Sequence, residues 1–350
     1  MSKVLVDLHR LKHNPYNGYY TFSRELGHHL LHCQPSELEL FYYLSQNEFG
    51  FFGNEVIYEK HRSIDKFYRF NTGKFDIWHM TTTLSWYQPF DKKVNLIYTI
   101  HDLHFLIEFW NNHHSNKRTL DRIRKRAERA DFIVAISQYS LDMANELLPI
   151  KNKPQKVIYN GGRVCEVADC FSPRIKPSGP FLFSLGQMYT RKNFHVLPPL
   201  LKNNDYQLII AGLPQTDYGN KVLEEARKYG VSDRVSLIGP ISEEEKSWYY
   251  KNCLAFLFPS IAEGFGLPVI EAMQFGKPVF LSDQTSLPEI GGTEAYYFEN
   301  FDPEYMQHQF ATCLKNYHDT HPQEKIKQRA KHFSWANCAK AYLDLYKSLA

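Results

Sequence analysis

The sequence predicts an α/β protein with two doubly wound parallel sheets, one in each half of the chain, facing a cleft. Short apolar runs without alternation recur in both halves, which is typical of strands buried on both faces. Each run is followed by a loop, often with a glycine, and then by a helical segment, an order that favours parallel pairing. At 350 residues the chain is too long for one ordinary core, so two domains are expected.

Composition excludes several classes of protein. The hydrophobic content of 43% suits globular domains, and a net charge of +3 is too small to indicate nucleic-acid binding. No apolar stretch reaches the length of a transmembrane helix, and the N-terminal residues do not resemble a signal peptide. The six cysteines form no Cys-X-X-Cys pair, which favours a reduced, cytoplasmic location.

The first half contains a series of predicted buried strands. They span residues 3–8, 38–44, 75–79, 95–100, 130–137 and 156–162. A loop at 14–18 and a helix over 21–31 separate the first two strands, whereas residues 45–74 show no clear period and yield no prediction.

Polar side chains follow two of these strands at their carboxyl ends. His79 closes one strand, and His101 and Asp102 follow the next. Ligands of open parallel sheets bind beyond the carboxyl ends of strands, so these side chains are predicted to face the cleft, although a structural role is the alternative for a histidine at such a place. Gly18, in the loop after the first strand, would let the backbone approach a ligand closely, although an ordinary turn is the alternative.

Residues 117–129 form a predicted basic helix that follows an apolar, aromatic stretch at 104–110. Its basic residues are Lys117, Arg118, Arg122, Arg124, Lys125, Arg126 and Arg129. One interpretation is a solvated helix face. The other is a peripheral contact with an anionic membrane surface, where basic and aromatic residues act together.

The second half restarts the pattern after residues 164–179, whose prolines and glycine are typical of a linker. The predicted strands span residues 181–185, 206–212, 235–240 and 253–258. Gly212 and Gly239 lie at the ends of two of these strands, and Gly186 begins the loop after another, at the edge of the sheet where ligands bind.

Two cations, Arg191 and Lys192, precede a predicted helix over 193–201. At such a junction the side-chain charges and the free backbone N–H groups of the helix would converge on a phosphate. A pair of surface cations is the alternative interpretation.

The most specific stretch is residues 259–273, which read PSIAEGFGLPVIEAM. It joins a buried strand to a helix through a glycine turn, and the free N–H groups and positive end of that helix make an anion site. Glu263 and Glu271 flank this site, which indicates a ligand with hydroxyl groups as well as phosphates. The alternative is a tight turn whose glutamates only complement the helix dipole.

The string EGFGLPVIEAM, with seven residues between Glu263 and Glu271, resembles the signature of retaining glycosyltransferases of the GT-B fold. The closest likeness is to the large family 4 of nucleotide-sugar-dependent enzymes. The likeness continues through residues 276–279 and 286–290, and TIHDL at 99–103 resembles the family's histidine–aspartate motif.

The resemblance implies a role for each candidate site residue. Contacts with the donor are implied for Gly18, Gly186, Gly239, Gly264, Phe265, Gly266, Leu267 and Glu271. Action at the reaction centre is implied for His101, Glu263, Arg191 and Lys192. Many family members carry an arginine where this chain has Gln187, so Arg191 is expected to take over its role.

The resemblance also implies the domain organisation. An acceptor-side domain is expected over residues 1–163, a linker over 164–179 and a nucleotide-sugar-binding domain over 180–333. A C-terminal helix over about 334–350 is expected to pack back on the first domain.

The implied reaction moves a mannose- or glucose-type hexose from a GDP- or UDP-sugar to a hydroxyl of a glycan or lipid-linked acceptor, with retention and without a resident cofactor. The sequence lacks an Asp-X-Asp motif, in agreement with a metal-independent mechanism. The expected setting is polysaccharide synthesis in the cytoplasm, at the inner face of the membrane. A sugar-nucleotide epimerase and a non-catalytic nucleotide-sugar-binding protein on the same fold remain as alternatives.

Overall fold

The structure is a computed structural model that describes residues 1–12, 17–67, 72–105, 113–213 and 216–350. The chain divides into two compact units, Met1–Gly161 with Ser334–Ala350, and Gly162–Phe333. Each unit contains one parallel sheet with helical connections, which confirms the predicted α/β class. Residues 164–179, expected as a linker, belong to the second unit.

In the described parts of the first unit, seven parallel strands pair in the order β3-β2-β1-β4-β5-β6-β7. Their bounds are β1 Ser2–Asp7, β2 Leu38–Leu44, β3 Ile57–Lys60, β4 Ile77–Met80, β5 Asn95–Ile100, β6 Phe132–Ala135 and β7 Gln155–Val157. Strand β3 falls in the segment for which the sequence yields no prediction. It is an edge strand with no buried residue, so it lacks the apolar run that marks the inner strands.

The second unit contains six parallel strands, among its described residues, in the order β10-β9-β8-β11-β12-β13. Their bounds are β8 Phe181–Leu185, β9 Gln207–Ala211, β10 Val235–Gly239, β11 Ala255–Phe258, β12 Val279–Ser282 and β13 Tyr296–Phe298. The sequence analysis did not predict the last two.

The helices connect these strands and close the chain. Their bounds are α1 Gly18–His32, α2 His113–Arg129, α3 Gln138–Leu147, α4 Thr216–Lys228, α5 Glu243–Asn252, α6 Leu267–Gln274, α7 Leu287–Gly291, α8 Pro303–Thr320, α9 Gln323–Lys331 and α10 Trp335–Leu349. The C-terminal helix α10 belongs to the first unit and packs against α1.

His79 anchors α10 to the first sheet. Its Nδ1 lies 2.6 Å from the hydroxyl of Tyr346, and its Nε2 lies 2.8 Å from Oγ1 of Thr99. The imidazole is fully buried, and burial lowers its pKa to about 3. The prediction that His79 faces a ligand is therefore wrong, because both ring nitrogens are used inside the core.

The helix predicted over residues 193–201 is also wrong. The chain forms short 3-10 turns at Thr190–Lys192, Phe194–Val196 and Pro198–Leu201 instead. Asn193 adopts a left-handed conformation with φ 57°, and Pro198 and Pro199 cannot donate backbone hydrogen bonds to an α-helix. Lys192 consequently does not stand at the N-terminus of an α-helix.

Each sheet reverses its strand order at one point, between β1 and β4 in the first unit and between β8 and β11 in the second. Open parallel sheets bind ligands at such switch points, beyond the carboxyl ends of the strands. The loops that follow these four strands are therefore the places to look for a site.

Candidate functional site

In the second unit, the loops after β8 and β11 are joined by hydrogen bonds at the switch point. The carbonyl oxygen of Arg191 accepts from the backbone N–H of Ile261 at 2.8 Å and from Oγ of Ser260 at 3.1 Å. The Arg191 guanidinium lies over the ring of Tyr189, 5.4 Å from its centre. These contacts hold the Arg191–Lys192 pair beside the turn that carries Glu263.

Lys192 and Glu263 form an ion pair at this point. The Lys192 Nζ lies 2.5 Å from Oε1 of Glu263, and the two side chains are only 10% and 14% exposed. The Nζ also lies 4.8 Å from the centre of the Phe258 ring, at the end of β11. The arrangement places side by side a cation, a type of group that can bind phosphate, and a carboxylate, a type of group that can accept from hydroxyl groups.

Glycines line the neighbouring strand ends. A Cβ on Gly212 would lie 1.8 Å from the carbonyl oxygen of Gly186, so no side chain fits there. A Cβ on Gly186 would lie 3.2 Å from Cε of Lys192. Gly239 accepts a hydrogen bond from the backbone N–H of Gly212 at 2.8 Å. Three adjacent strands of the sheet therefore end in bare backbone, and the end of β8 lies beside Lys192.

The turn from Glu263 to Leu267 leads into α6. Gly266 caps this helix with φ +113°, a conformation that favours glycine, and Pro268 is the second helical residue. The Ser286 hydroxyl lies 3.0 Å from the carbonyl oxygen of Glu263 and 2.9 Å from that of Phe265. Gly264 lies between these two anchored residues, and the Phe265 side chain is itself buried.

Thr285 and Ser286 are therefore positioning residues that the sequence analysis missed. Thr285 Oγ1 accepts from the backbone N–H of Glu263 at 3.1 Å. The only signal in the sequence was the likeness of residues 286–290 to a family motif, which did not indicate what Ser286 contacts.

Glu271 lies on α6, where the positive helix end was expected to bind a ligand. Its side chain is buried: Oε1 lies 3.0 Å from Nζ of Lys246, and Oε2 accepts from the hydroxyl of Tyr250 at 3.1 Å. Burial lowers the pKa of Lys246, but the charges of Glu271 and Glu243 outweigh this effect and raise it. Lys246 and Tyr250, both on α5, were not predicted as partners of Glu271.

In the first unit, His101 follows β5. Its Nε2 lies 2.8 Å from the carbonyl oxygen of Thr81, and its ring packs against Tyr19 and Phe22, with centroids 4.9 and 4.6 Å apart. The residue is 6% exposed, and burial lowers its pKa to about 4. At neutral pH the imidazole is therefore uncharged, with its proton on Nε2 and an acceptor lone pair on Nδ1.

Asp102 follows His101 in the sequence, and Gly18 precedes Tyr19, whose ring packs against His101. Asp102 is half-buried. Burial of Tyr19 raises the pKa of that phenol, and the negative charge of Asp102 raises it as well. Gly18 is the first residue of α1, which Asn17 caps by accepting from the N–H of Tyr20 at 2.8 Å. A Cβ on Gly18 would meet no atom within 4 Å, so the structure shows no steric need for glycine there.

Two family sequence models match the chain. The family described as "Glycosyl transferases group 1" matches residues 169–333, and "Glycosyltransferase Family 4" matches residues 39–162. The chain belongs to the family 4 glycosyltransferases. The resemblance carried by the turn at residues 263–273 is thereby confirmed, and the two matches together reach both units.

Named relatives of this family 4 glycosyltransferase include two proteins of Escherichia coli. The serotype-specific mannosyltransferase WbdA is 32% identical over 230 residues, which cover 61% of this chain and 28% of that protein. The O-antigen chain mannosyltransferase B is 32% identical over 176 residues, which cover 47% and 45%. The chain thus spans less than half the length of these relatives.

A solved structure shares the fold. HepE from Anabaena, in complex with UDP and glucose, superposes with a TM-score of 0.69 at 16% identity, covering 99% of this chain and 100% of that one. At this identity the likeness shows the fold alone. None of the helices in the described part of the chain is both long and apolar enough to cross a bilayer.

The basic helix α2 of this glycosyltransferase has some cations exposed and others in contact with neighbouring residues. Lys117, Arg118, Arg124 and Lys125 are exposed, and they are called the basic face below. Arg129 instead pairs with Asp131 at 2.9 Å, and Arg122 and Arg126 point toward Trp86. Of the preceding aromatic stretch, residues 106–110 lie outside the described residues.

Proposed function

We propose that the protein is a retaining hexosyltransferase that moves a hexose from a nucleoside diphosphate sugar to a hydroxyl of a glycan or lipid-linked acceptor. The observation that carries this proposal is the Lys192–Glu263 pair, with Nζ 2.5 Å from Oε1 at the switch point of the second sheet. A cation for phosphate and a carboxylate for hydroxyl groups, beside bare backbone, suit the two halves of a sugar nucleotide.

The leaving diphosphate gains charge as its bond to the sugar breaks. Lys192, Arg191 and the N-terminal end of α6 at Gly266 and Leu267 would stabilise that charge, since each presents a cation or free N–H groups at the same edge of the sheet. These groups would take the part that a divalent cation plays elsewhere, so we propose a metal-independent reaction.

The two glutamates would bind different hydroxyl groups. Glu263 has one oxygen on Lys192 and would use the other for the transferred sugar. Glu271 would bind the ribose. Each of its oxygens accepts one hydrogen bond in this structure, from Lys246 or from Tyr250, and each keeps a further lone pair for a ribose hydroxyl.

Retention would follow from attack on the face that the diphosphate leaves. In this mechanism the leaving phosphate accepts the proton of the acceptor hydroxyl, so no separate general base is required. His101 would act as a hydrogen-bond acceptor through Nδ1 for a hydroxyl of the transferred sugar, since its Nε2 already lies 2.8 Å from Thr81 O.

The donor and the setting are proposed from the relatives. WbdA and the O-antigen chain enzyme are named as mannosyltransferases, so a mannosyl donor such as GDP-mannose comes first, and HepE with UDP and glucose adds UDP-hexoses. We place the reaction in cell-surface polysaccharide synthesis, on the cytoplasmic side of the membrane.

A thermal-shift screen of GDP-mannose, UDP-glucose, UDP-galactose and the free nucleotides tests the donor directly. A donor that binds the folded state raises Tm in proportion to the logarithm of its concentration. The expected result is stabilisation by one donor and its nucleotide, with slow release of the nucleoside diphosphate. A protein that binds none of them, or that epimerises the sugar without releasing nucleotide, would overturn the proposal.

The basic face would bring the enzyme to a lipid-linked acceptor. Each basic residue near an anionic membrane contributes on the order of 1 kcal/mol, and salt screens this attraction. Co-sedimentation with anionic vesicles should therefore be detectable at low salt and fade as salt rises. Changing Arg118, Arg124 and Lys125 to Gln should abolish it, and equal binding by this variant would show that the face is only solvated.

A further inference from the structure

Three arginines of the first unit, of which Arg126 is buried and Arg10 and Arg122 are half-buried, each have a guanidinium nitrogen without a partner among the described residues. The Nε atoms of Arg10, Arg122 and Arg126 are buried, and none has a hydrogen-bond partner among the described residues. Arg126 is only 6% exposed, and its Nη1 is satisfied by the backbone carbonyl of Arg122 at 3.0 Å. Three such groups in one region of one unit require a common explanation.

The arginines surround the switch point of the first sheet. Arg10 follows β1, and its guanidinium lies 5.5 Å from the centre of the Tyr19 ring. Arg122 and Arg126 lie one turn apart on α2 and approach Trp86, in the segment after β4, at 3.8 and 5.7 Å from its centre. Chain segments on both sides of the switch point thus contribute to one cluster.

Mutual repulsion and burial make this cluster costly. Burial, opposed by the Tyr98 phenol and assisted by the charge of Arg122, lowers the pKa of Arg126 to about 10. Burial also lowers the pKa of Arg122; the Tyr98 phenol opposes this effect, and the charge of Arg10 adds to it. Aromatic stacking stabilises a guanidinium but gives its N–H groups no acceptor. An anionic ligand would supply both the acceptors and the opposite charge.

The cluster also lies beside the candidate reaction centre of the first unit. The charge of Arg10 acts on His101, and the Tyr19 ring contacts both residues, at 5.5 Å from the Arg10 guanidinium and 4.9 Å from the imidazole. A ligand held by the arginines would therefore lie close to His101.

We propose that Arg10, Arg122 and Arg126 bind a phosphate or diphosphate group of the acceptor, an inference that rests on the proposed glycosyl transfer. Guanidinium groups match phosphate oxygens in pairs, and three of them suit a group with more than one negative charge. The exposed edge of Trp86 offers a surface on which a sugar ring can pack. The acceptor is accordingly a short glycosyl phosphate or diphosphate rather than the end of a long neutral glycan.

Inorganic pyrophosphate is the probe for this site, titrated by calorimetry at fixed low salt into the full chain. The titration uses the Lys192→Met background, which removes the donor phosphate site of the second unit. Adding Arg122→Gln and Arg126→Gln should weaken pyrophosphate binding at least tenfold. Lys92→Gln with Lys93→Gln removes the same charge from an exposed part of the same unit and should leave the affinity unchanged.

Separate controls test whether Arg126 is needed for folding and whether the arginines bind the donor or the acceptor. Arg126→Met should raise Tm, because it removes a buried charge that has no opposite charge beside it, and it should also weaken pyrophosphate binding. A lowered Tm would make Arg126 a structural residue and overturn the site. In otherwise parental protein, the Arg122→Gln and Arg126→Gln changes should leave GDP and UDP affinity intact. A loss there would assign the arginines to the donor instead of the acceptor.

Two further results would overturn the site: no saturable pyrophosphate binding in the Lys192→Met protein, or equal affinity in the arginine and lysine variants. The titration requires no turnover. Absence of glycosyl transfer would therefore refute the proposed function without affecting this result, and absence of pyrophosphate binding would refute this site without affecting the donor screen.

Discussion

Replacing Lys192 by Met should separate the structural and chemical roles of the Lys192–Glu263 pair. Methionine keeps an apolar stem against Gly186 and Phe258 but removes the charge. The Glu263 carboxylate, 14% exposed, then loses its cation. Breaking a buried pair from one side costs on the order of 3–5 kcal/mol, because the remaining charge is left uncompensated. The stability loss should be measurable by denaturant unfolding.

The effect on turnover should be distinct from that loss. Removing one group that stabilises transition-state charge typically costs about 10²–10³ in kcat. We expect such a loss in nucleoside diphosphate release, with a smaller change in donor affinity, because the charge on the diphosphate grows as the bond breaks.

The double variant Lys192→Met with Glu263→Gln completes the cycle. It removes both charges and should recover most of the stability while remaining inactive. If Lys192→Met folds and turns over the donor as fast as the parent, Lys192 is a structural cation and the reasoning fails. If the double variant is no more stable than Lys192→Met alone, the ion pair does not stabilise the loop that carries Glu263.

Three other outcomes are expected. Glu271→Gln should weaken binding of the free nucleoside diphosphate by roughly 1–3 kcal/mol in calorimetry, and unchanged affinity in a folded protein would remove Glu271 from the site. Burial lowers the His101 pKa from 6.5 to about 4, so the unfolded state takes up the proton first as the pH falls. The contribution of His101 to the free energy of unfolding should be complete above pH 6.5 and fall toward pH 4. The slope of the free energy of unfolding against pH should be smaller in His101→Gln. An equal slope in parent and variant would contradict that assignment. A chelator should leave turnover intact, whereas a strict requirement for added divalent cation would refute the metal-independent mechanism.

Local sequence was sufficient to predict the turn that precedes α6. The apolar run before it, the left-handed Gly266 and Pro268 at the helix start each depend on neighbouring residues, so the strand, turn and helix follow one another in the structure as expected. The strand–loop–helix repeat predicted the α/β class for the same reason.

Contacts between distant residues could not be predicted in this way. Glu271 meets Lys246 and Tyr250, which lie 25 and 21 residues away on another helix, and no periodicity in α5 indicates that partnership. The same is true of the basic helix, because the order of its charged residues does not indicate that Arg126 is buried. The prolines at 198 and 199 carried usable information, and they should have argued against a helix there.

Proton NMR of a donor hydrolysed without acceptor tests the central claim most directly. The enzyme would be mixed with GDP-mannose or UDP-glucose and a chelator, and the anomeric signals of the released hexose followed before they equilibrate. The account predicts initial release of the α-anomer from either α-linked donor, abolished by Lys192→Met. Initial release of the β-anomer, or release that Lys192→Met leaves unchanged, would contradict it.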